Sequence, residues 1–202
     1  MDCTCPKPAA LTTVAKVTCK ENLGQIQRWI FQRAGFTFDA DALITALASW
    51  TPLFAAVGDT KILSTPLIEN FVIPRAEAIT EGGGDNTTID GKEIVLGAGA
   101  ITATGVIAEA PESVIEALKE LMCETDLVAY GINQYGRIIA KEVAEDEYTG
   151  IPISSLFVSD SDSKGLNTRD QADIRFALDY GWRAGVKIIT PNFNAKTALW
   201  PA

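Results

Sequence analysis

The absence of one residue type narrows the possible chemistry first. The 202-residue chain has no histidine, which removes the commonest general base and every Ser-His or Cys-His nucleophile system. Catalysis would have to use carboxylates, lysine or a bound metal. The best metal-ligand spacing runs from Asp160 to Asp170: Asp160, Asp162 and Gly165 match positions one, three and six of a calcium loop. Lys164, however, puts a cation where an oxygen ligand belongs, and Gln171 replaces the closing bidentate glutamate. The two mismatches favour an ordinary acidic turn between strands. A structural zinc site would need Cys3, Cys5, Cys19 and Cys123 all to converge, and Cys123 on a helix makes that awkward. The four are read instead as reduced thiols. Gly82-Gly83-Gly84-Asp85-Asn86 lacks the Gly-Lys-Ser/Thr ending of a phosphate-binding loop and opens no helix. Asn86-Thr87-Thr88 is a formal glycosylation triplet that means little without export. The expectation is therefore no catalytic residue, no metal, no cofactor and no enzyme.

Charge points the same way. Of 26 acidic and 17 basic side chains, residues 1–73 hold six of each sign, so the rest of the chain carries the whole net charge of −9. An acidic surface disfavours gripping nucleic acid, whose affinity comes from Lys and Arg neutralising phosphates. It suits solubility, or a surface that DNA passes without sticking. The longest apolar runs fall well short of the ~20 residues a membrane helix requires. The N-terminus Met1-Asp2-Cys3-Thr4-Cys5-Pro6 lacks the basic leader and apolar core of a secretory signal, so synthesis in the cytoplasm is expected.

The elements that must position any site centre on residues 98–133. A long strand (Ala100 to Ala108) leads into a marked helix (Pro111 to Cys123) and a second strand (Leu127 to Asn133). In the helix, Val114, Leu118, Leu121 and Met122 make one apolar stripe, and Glu112, Glu116, Lys119 and Glu120 occupy the other face. Pro111 suits the first helical position, where its missing N–H has no intrahelical partner to lose. Upstream, Gln25 to Arg33 reads as a strand with Trp29 and Phe31 on one face, although Leu23, Ile26 and Ile30 also line up at helical spacing. A short helix follows Asp39 or Asp41, and Thr51-Pro52 is taken as an N-cap and first helical residue leading a turn over Leu53 to Val57. Thr60 to Leu63 and Ile68 to Ile73 return to strand.

Residues 74–92 break the pattern, with Gly82, Gly83, Gly84 and Gly91 among turn formers, and read as a long loop or hairpin reaching away from the domain. A mobile surface loop is one reading; a binding or assembly role is the other, since structureless loops of that length are uncommon in compact domains unless they bind something. Asn133 to Gly136 is a turn into Arg137 to Val143, and Ile151 to Val158 is a strand whose Pro152 suits an edge. Asp173 to Asp179 alternates, with Ile174, Phe176 and Leu178 inward, and Val186 to Thr190 is expected to pair with it. The ends are an N-terminal arm (1–20), with Val14, Lys16 and Thr18 alternating, and a tail (191–202) with Phe193 and Trp200 as anchors. The result is a single domain, 1–202, of about eight strands and one principal helix: mainly β, a β-sandwich or partly closed barrel with a flanking helix.

This layout resembles the tail tube (major tail) proteins of long-tailed bacteriophages. The phrases Glu81-Gly82-Gly83-Gly84-Asp85-Asn86-Thr87-Thr88 and Ile89-Asp90-Gly91-Lys92-Glu93-Ile94, with the helix Val114 to Met122, are similar to those of virion proteins from phages of Bacteroides-type gut bacteria. The resemblance implies a virion structural protein whose copies form hexameric rings stacked into a tail tube, strands joining edge to edge into an inner barrel. It implies contacts between rings through the terminal arms and through a loop bearing Glu81, Gly82, Gly83, Gly84, Asp85, Asn86 and Asp90. Partners would be other copies, other tail proteins, and DNA crossing an acid-lined lumen without specific binding. Another virion component, such as a head-to-tail connector or capsid accessory protein, shares this profile, and a monomeric ligand-binding β-barrel is the rival of a different class.

Overall fold

A computed structural model describes residues 22–84, 87–166 and 168–200. The expected arm (1–20), with Cys3, Cys5 and Cys19, and Asp85 and Asn86 of the loop lie outside the described residues. Two units emerge: a hairpin within Glu77–Gly99, and a body made of Leu23–Ala76 with the residues from Ala100 onward.

The body begins with β1 (Ile26–Arg33), α1 (Asp41–Ile44), α2 (Leu47–Ala55), β2 (Ile62–Ser64) and β3 (Ile68–Val72). The hairpin supplies β4 (Ala78–Glu81) and β5 (Ile94–Ala98). The body resumes with β6 (Ile101–Ala108), α3 (Glu112–Glu120), β7 (Leu127–Asn133), β8 (Ile138–Ala144) and β9 (Glu147–Thr149). It ends with β10 (Ile151–Val158), β11 (Gln171–Leu178), β12 (Val186–Ile189) and α4 (Ala195–Ala198). The fold is mainly β, built on a large antiparallel sheet with few helices, and the described strands do not close into a barrel.

The sheet folds over itself through β10. Ile151 to Ile153 pair with β7, whereas Ser154 to Val158 pair with β11. The register slips between Ser154 and Phe157, and Ser155 takes a left-handed backbone (φ 52°), the local bend that passes the strand from one layer to the next. One layer is β2-β1-β7-β8-β12 and the other β3-β6-β11-β10.

Between the layers lies a core of Trp29, Phe31, Ile107, Ala129, Ile139, Ile174 and Phe176, extended by Ile115 and Leu118 of α3. On the far face of β1-β7-β8 a second core forms, in which Ile30, Tyr130, Ile132 and Ile138 meet Ile44, Trp50, Leu53, Ala195 and Leu199. Sequence pattern follows from this layering. All seven residues of β7 are buried because both of its faces are covered. In β11, Ala172, Ile174, Phe176 and Leu178 are buried while Asp173 and Arg175 face out, since only one face is covered.

Packing is tight where the layers approach. A Cβ added at Gly105 would sit 2.5 Å from Ile68 Cγ2 and 2.7 Å from Phe71 Cδ2. Gly105→Ala is therefore expected to destabilise the body by about 1–3 kcal/mol, read from the urea midpoint.

Several sequence expectations are corrected. The described residues hold twelve strands rather than about eight. Pro152 lies where β10 is an edge, as expected, since Ile151 to Ile153 pair on one side only, with β7, and its missing N–H costs no second ladder; only from Ser154 does the strand gain β11. β12 pairs with β8, not with β11, because residues 179–185 carry the chain from one layer to the other. Thr51-Pro52 does not start a helix: α2 begins at Leu47 and contains Pro52, drawn back by burial of Trp50, whose Nε1 donates to Ile44 O at 2.9 Å. Pro111 is the N-cap of α3, with extended ψ of 145°, and the last turn, Leu121 to Cys123, tightens to a 3-10 helix.

The packing face of α3 is also rotated from the expected stripe. Ile115 and Leu118 are fully buried, Val114 and Leu121 flank them half-buried, and Met122 is 38% exposed. The tail through Trp200 lies on its own body, with Asn192 N donating to Thr45 O at 3.0 Å and Ala195 and Leu199 fully buried.

Candidate assembly surface

The strongest surface feature is the β4-β5 hairpin. Its strands pair antiparallel, Ala78 opposite Ala98, Ile79 opposite Gly97, Thr80 opposite Val95 and Glu81 opposite Ile94, with Leu96 the extra residue of a bulge. The base is closed by Gly99 N donating to Glu77 O at 2.8 Å. At the tip Gly84 N donates to Gly91 O at 3.0 Å, Gly91 N to Thr88 O at 3.1 Å, and Thr88 Oγ1 to Lys92 O at 2.6 Å. Gly82, with φ 89°, packs so closely on Lys92 O and the Thr88 side chain that any Cβ would collide. Of the loop or hairpin that the composition suggested, the structure has the hairpin, and among the described residues its tip is tied by these bonds.

Among the described residues the hairpin has no buried core. Ile79, Ile94, Val95 and Leu96 are 51–66% exposed and Ile89 is 89% exposed. The glycines and acids of this region were the residues expected to matter, and the strand Ile94–Ala98 that completes the hairpin was not among the expected elements. The signal for the missed residues was the run Ile94-Val95-Leu96, three consecutive apolar residues beside a turn. Of the predicted loop residues, Glu81 lies at the end of β4, Gly82, Gly83 and Gly84 form the turn, and Asp90 takes a left-handed φ of 63° beside Lys92, 3.8 Å away.

The remaining sequence candidates serve the body's own fold. Trp29 and Phe31 are interior, Phe193 is half-buried against the second core, and Trp200 is half-buried under the Arg28 guanidinium, 4.5 Å from its ring centre. Arg28 itself is 8% exposed; its NH1 donates to Thr65 O at 3.0 Å, and burial pushes its pKa down. Asp160 pairs with Lys119, and Asp162 with Lys164 at 3.4 Å while also accepting from Gln171 N at 2.9 Å. Lysines therefore hold the carboxylates that a calcium loop would turn toward a metal. Among the described residues no three metal-capable side chains converge, and no helix is long and apolar enough to cross a membrane.

One cavity of about 300 Å³ lies between α3 and the β1-β2 edge, floored by Phe31, Leu63, Leu121 and Leu127. Along its rim Arg33 clasps Glu124 and, at 2.9 Å, Asp59, tying the segment after α3 to the loop before β2. The Arg33 hydrogen bonds hold the Glu124 carboxyl below its ordinary range. A depressed carboxylate contributes stability above its unfolded pKa, and that contribution disappears as pH falls through the lower folded value. Glu124→Gln is expected to lower the urea midpoint slightly at neutral pH, because the pair is exposed, and to converge with the unmodified chain as pH falls below about 4.3, so that the acid fall is flatter.

No protein-family model and no curated protein matches the chain. Two solved structures are similar to it. One is the virion of a native gene transfer agent particle (12% identity, TM-score 0.35, 63% of this chain and 88% of that one). The other is the tail of an empty gene transfer agent particle with C6 symmetry (12%, 0.34, 60% and 81%). Overlap this shallow transfers no assembly to this chain.

Proposed function

We propose that the chain is a virion structural protein that assembles into stacked hexameric rings, a tail tube for DNA passage, with the β4-β5 hairpin as the contact between rings. The observation that carries this reading is the hairpin's composition. A two-stranded hairpin is marginal in water, and this one leaves every large apolar side chain of its strands exposed. Such a surface is built to be covered.

Energetics favour many contacts over one. Burying the exposed part of Ile79, Ile94, Val95 and Leu96 contributes about 1–2 kcal/mol each, in sum within the lower part of the ~4–15 kcal/mol that association costs in lost freedom. A single contact is weak; a polymer in which every copy both gives and receives one is stable. The arm role rests on the hairpin and on residues 1–20, since the tail is occupied with its own core. The hexameric ring and the tube come from the resemblance to tail tube proteins, and the excess of 20 acids over 11 bases beyond residue 73 suits a channel that repels phosphate.

The test is size-exclusion chromatography with negative-stain microscopy of the purified chain. Rings or tubes with six-fold end views are expected; a monomer at every concentration would overturn the reading.

A further inference from the structure

We infer that the turn between β7 and β8, presenting Tyr135 and Arg137 with Lys196 of α4 beside it, receives the acidic β4-β5 hairpin of a second copy. This rests on the self-assembly proposed above and names the surface that meets the hairpin.

The first argument is that the turn is held rigidly while its side chains are left outside. Asn133 is fully buried; its Oδ1 accepts from Tyr135 N and Arg137 N, both at 3.0 Å, and its Nδ2 donates to Leu23 O at 2.8 Å. Gln134 N donates to Gln25 O at 2.8 Å, and from α4 Lys196 Nζ donates to Gln134 O at 3.1 Å. Gly136, at φ 75°, supplies the left-handed step that closes the turn. The Tyr135 ring rests on Gly24, where a Cβ would come within 3.1 Å of Cε2, yet Tyr135 is 64% exposed and Arg137 is exposed as well. A backbone fixed in advance loses little freedom on binding, and Tyr and Arg are the side chains enriched at the centres of interfaces.

The second argument is charge. In a chain of net charge −9, residues 127–141 and 180–202 contain no acid. The β8-β12 ladder and the Lys196 bond to the turn bring these two stretches together. Among the described residues neither Arg137 nor Lys196 joins an ion pair, whereas Glu142 holds Lys187 at 3.0 Å. Other exposed cations without an ion pair among the described residues are placed differently. Lys61 lines a cleft with Glu120 and Glu124, Arg75 is two residues from Glu77, and Arg175 lies over the Phe157 ring. The hairpin supplies the complement: residues 77–99 carry five acids against Lys92 alone, and Glu81 and Glu93, beside its tip, are exposed and join no ion pair among the described residues. A basic patch and an acidic arm on one chain are unlike surfaces, and contacts between unlike surfaces run head to tail into rings or filaments.

The test is charge reversal, read as the concentration of chain left in the supernatant after tubes are pelleted. All the positions changed are exposed, and the urea midpoint of each variant confirms that it folds. Arg137→Glu is expected to raise that concentration about tenfold, as is Glu81→Lys with Glu93→Lys. A chain carrying all three substitutions should form tubes again, because the two surfaces are once more opposite in sign. If Arg137→Glu forms tubes like the unmodified chain, or the triple variant is no better than Arg137→Glu, the turn does not receive the hairpin. The hairpin reading then survives if Val95→Asp with Leu96→Asp still abolishes tubes. A short DNA duplex retarded by the unmodified chain but not by Arg137→Glu, with tubes unchanged, assigns the patch to nucleic acid and overturns the inference. An unmodified chain that never self-associates overturns both readings.

Discussion

Replacing Val95 and Leu96 together by aspartate is expected to leave a folded chain that no longer forms tubes. Both side chains are more than half exposed, 66% and 58%, so neither substitution opens a cavity or strands a buried group. Surface changes of this kind shift stability by about 0.5 kcal/mol or less, roughly 1–2 °C in a chain of this size. Association is affected far more. Losing the still-exposed part of two apolar side chains, about 1–2 kcal/mol each, weakens it by roughly 30- to 1,000-fold before any cost of burying the new carboxylates. Deleting residues 82–86 acts on the same contact by removing the tip that sets the two strands in register. Thermal unfolding and sedimentation of the same samples separate the outcomes. Normal tubes from either variant would remove the hairpin from the assembly, and a collapse in melting temperature would show that its apolar residues belong to the fold.

The largest effect on stability is expected at Trp29. Its ring is fully buried between the layers, edge-on to Phe71 at 5.4 Å and Phe176 at 5.2 Å, and Gly131 leaves space for it: a Cβ there would lie 3.3 Å from the ring. Trp29→Ala is expected to cost about 3–5 kcal/mol, a large share of the ~5–15 kcal/mol that holds a domain together. Trp29→Phe should cost much less. It keeps part of the packing and removes an indole N–H that is buried without a hydrogen-bond partner. Urea unfolding distinguishes them: equal losses for Ala and Phe would mean that indole-specific packing, not buried volume, carries the energy.

Local pattern was readable wherever one face of an element is buried. The alternation of Asp173 to Leu178 set that strand's inward side correctly, and the turn from Asn133 to Gly136 joins β7 and β8 as its residues suggest. Legibility failed where both faces are covered or where packing overrode a local signal. Ile30 is as buried as Trp29 and Phe31, because helices cover the other face of β1 as well. The α3 stripe was misplaced for a related reason. A helical wheel with apolar residues at 114, 115, 118, 121 and 122 permits several centres, and contact with the sheet selects Ile115 and Leu118. Pro52 marked a helix start by rule, but burial of Trp50 extends the helix upstream of it.

The amino-acid order alone determined that this chain makes antiparallel strands with a flanking helix, carries its acidic excess beyond residue 73, and lacks histidine chemistry. Those properties follow from composition and from short-range periodicity, which the backbone reads residue by residue. Only the tertiary structure decided that β10 bends from one layer to the other, that β12 joins β8, that the tail caps its own core, and that Ile79, Ile94, Val95 and Leu96 remain uncovered. Pairing partners and exposure depend on residues far apart in the chain, and no local window contains them.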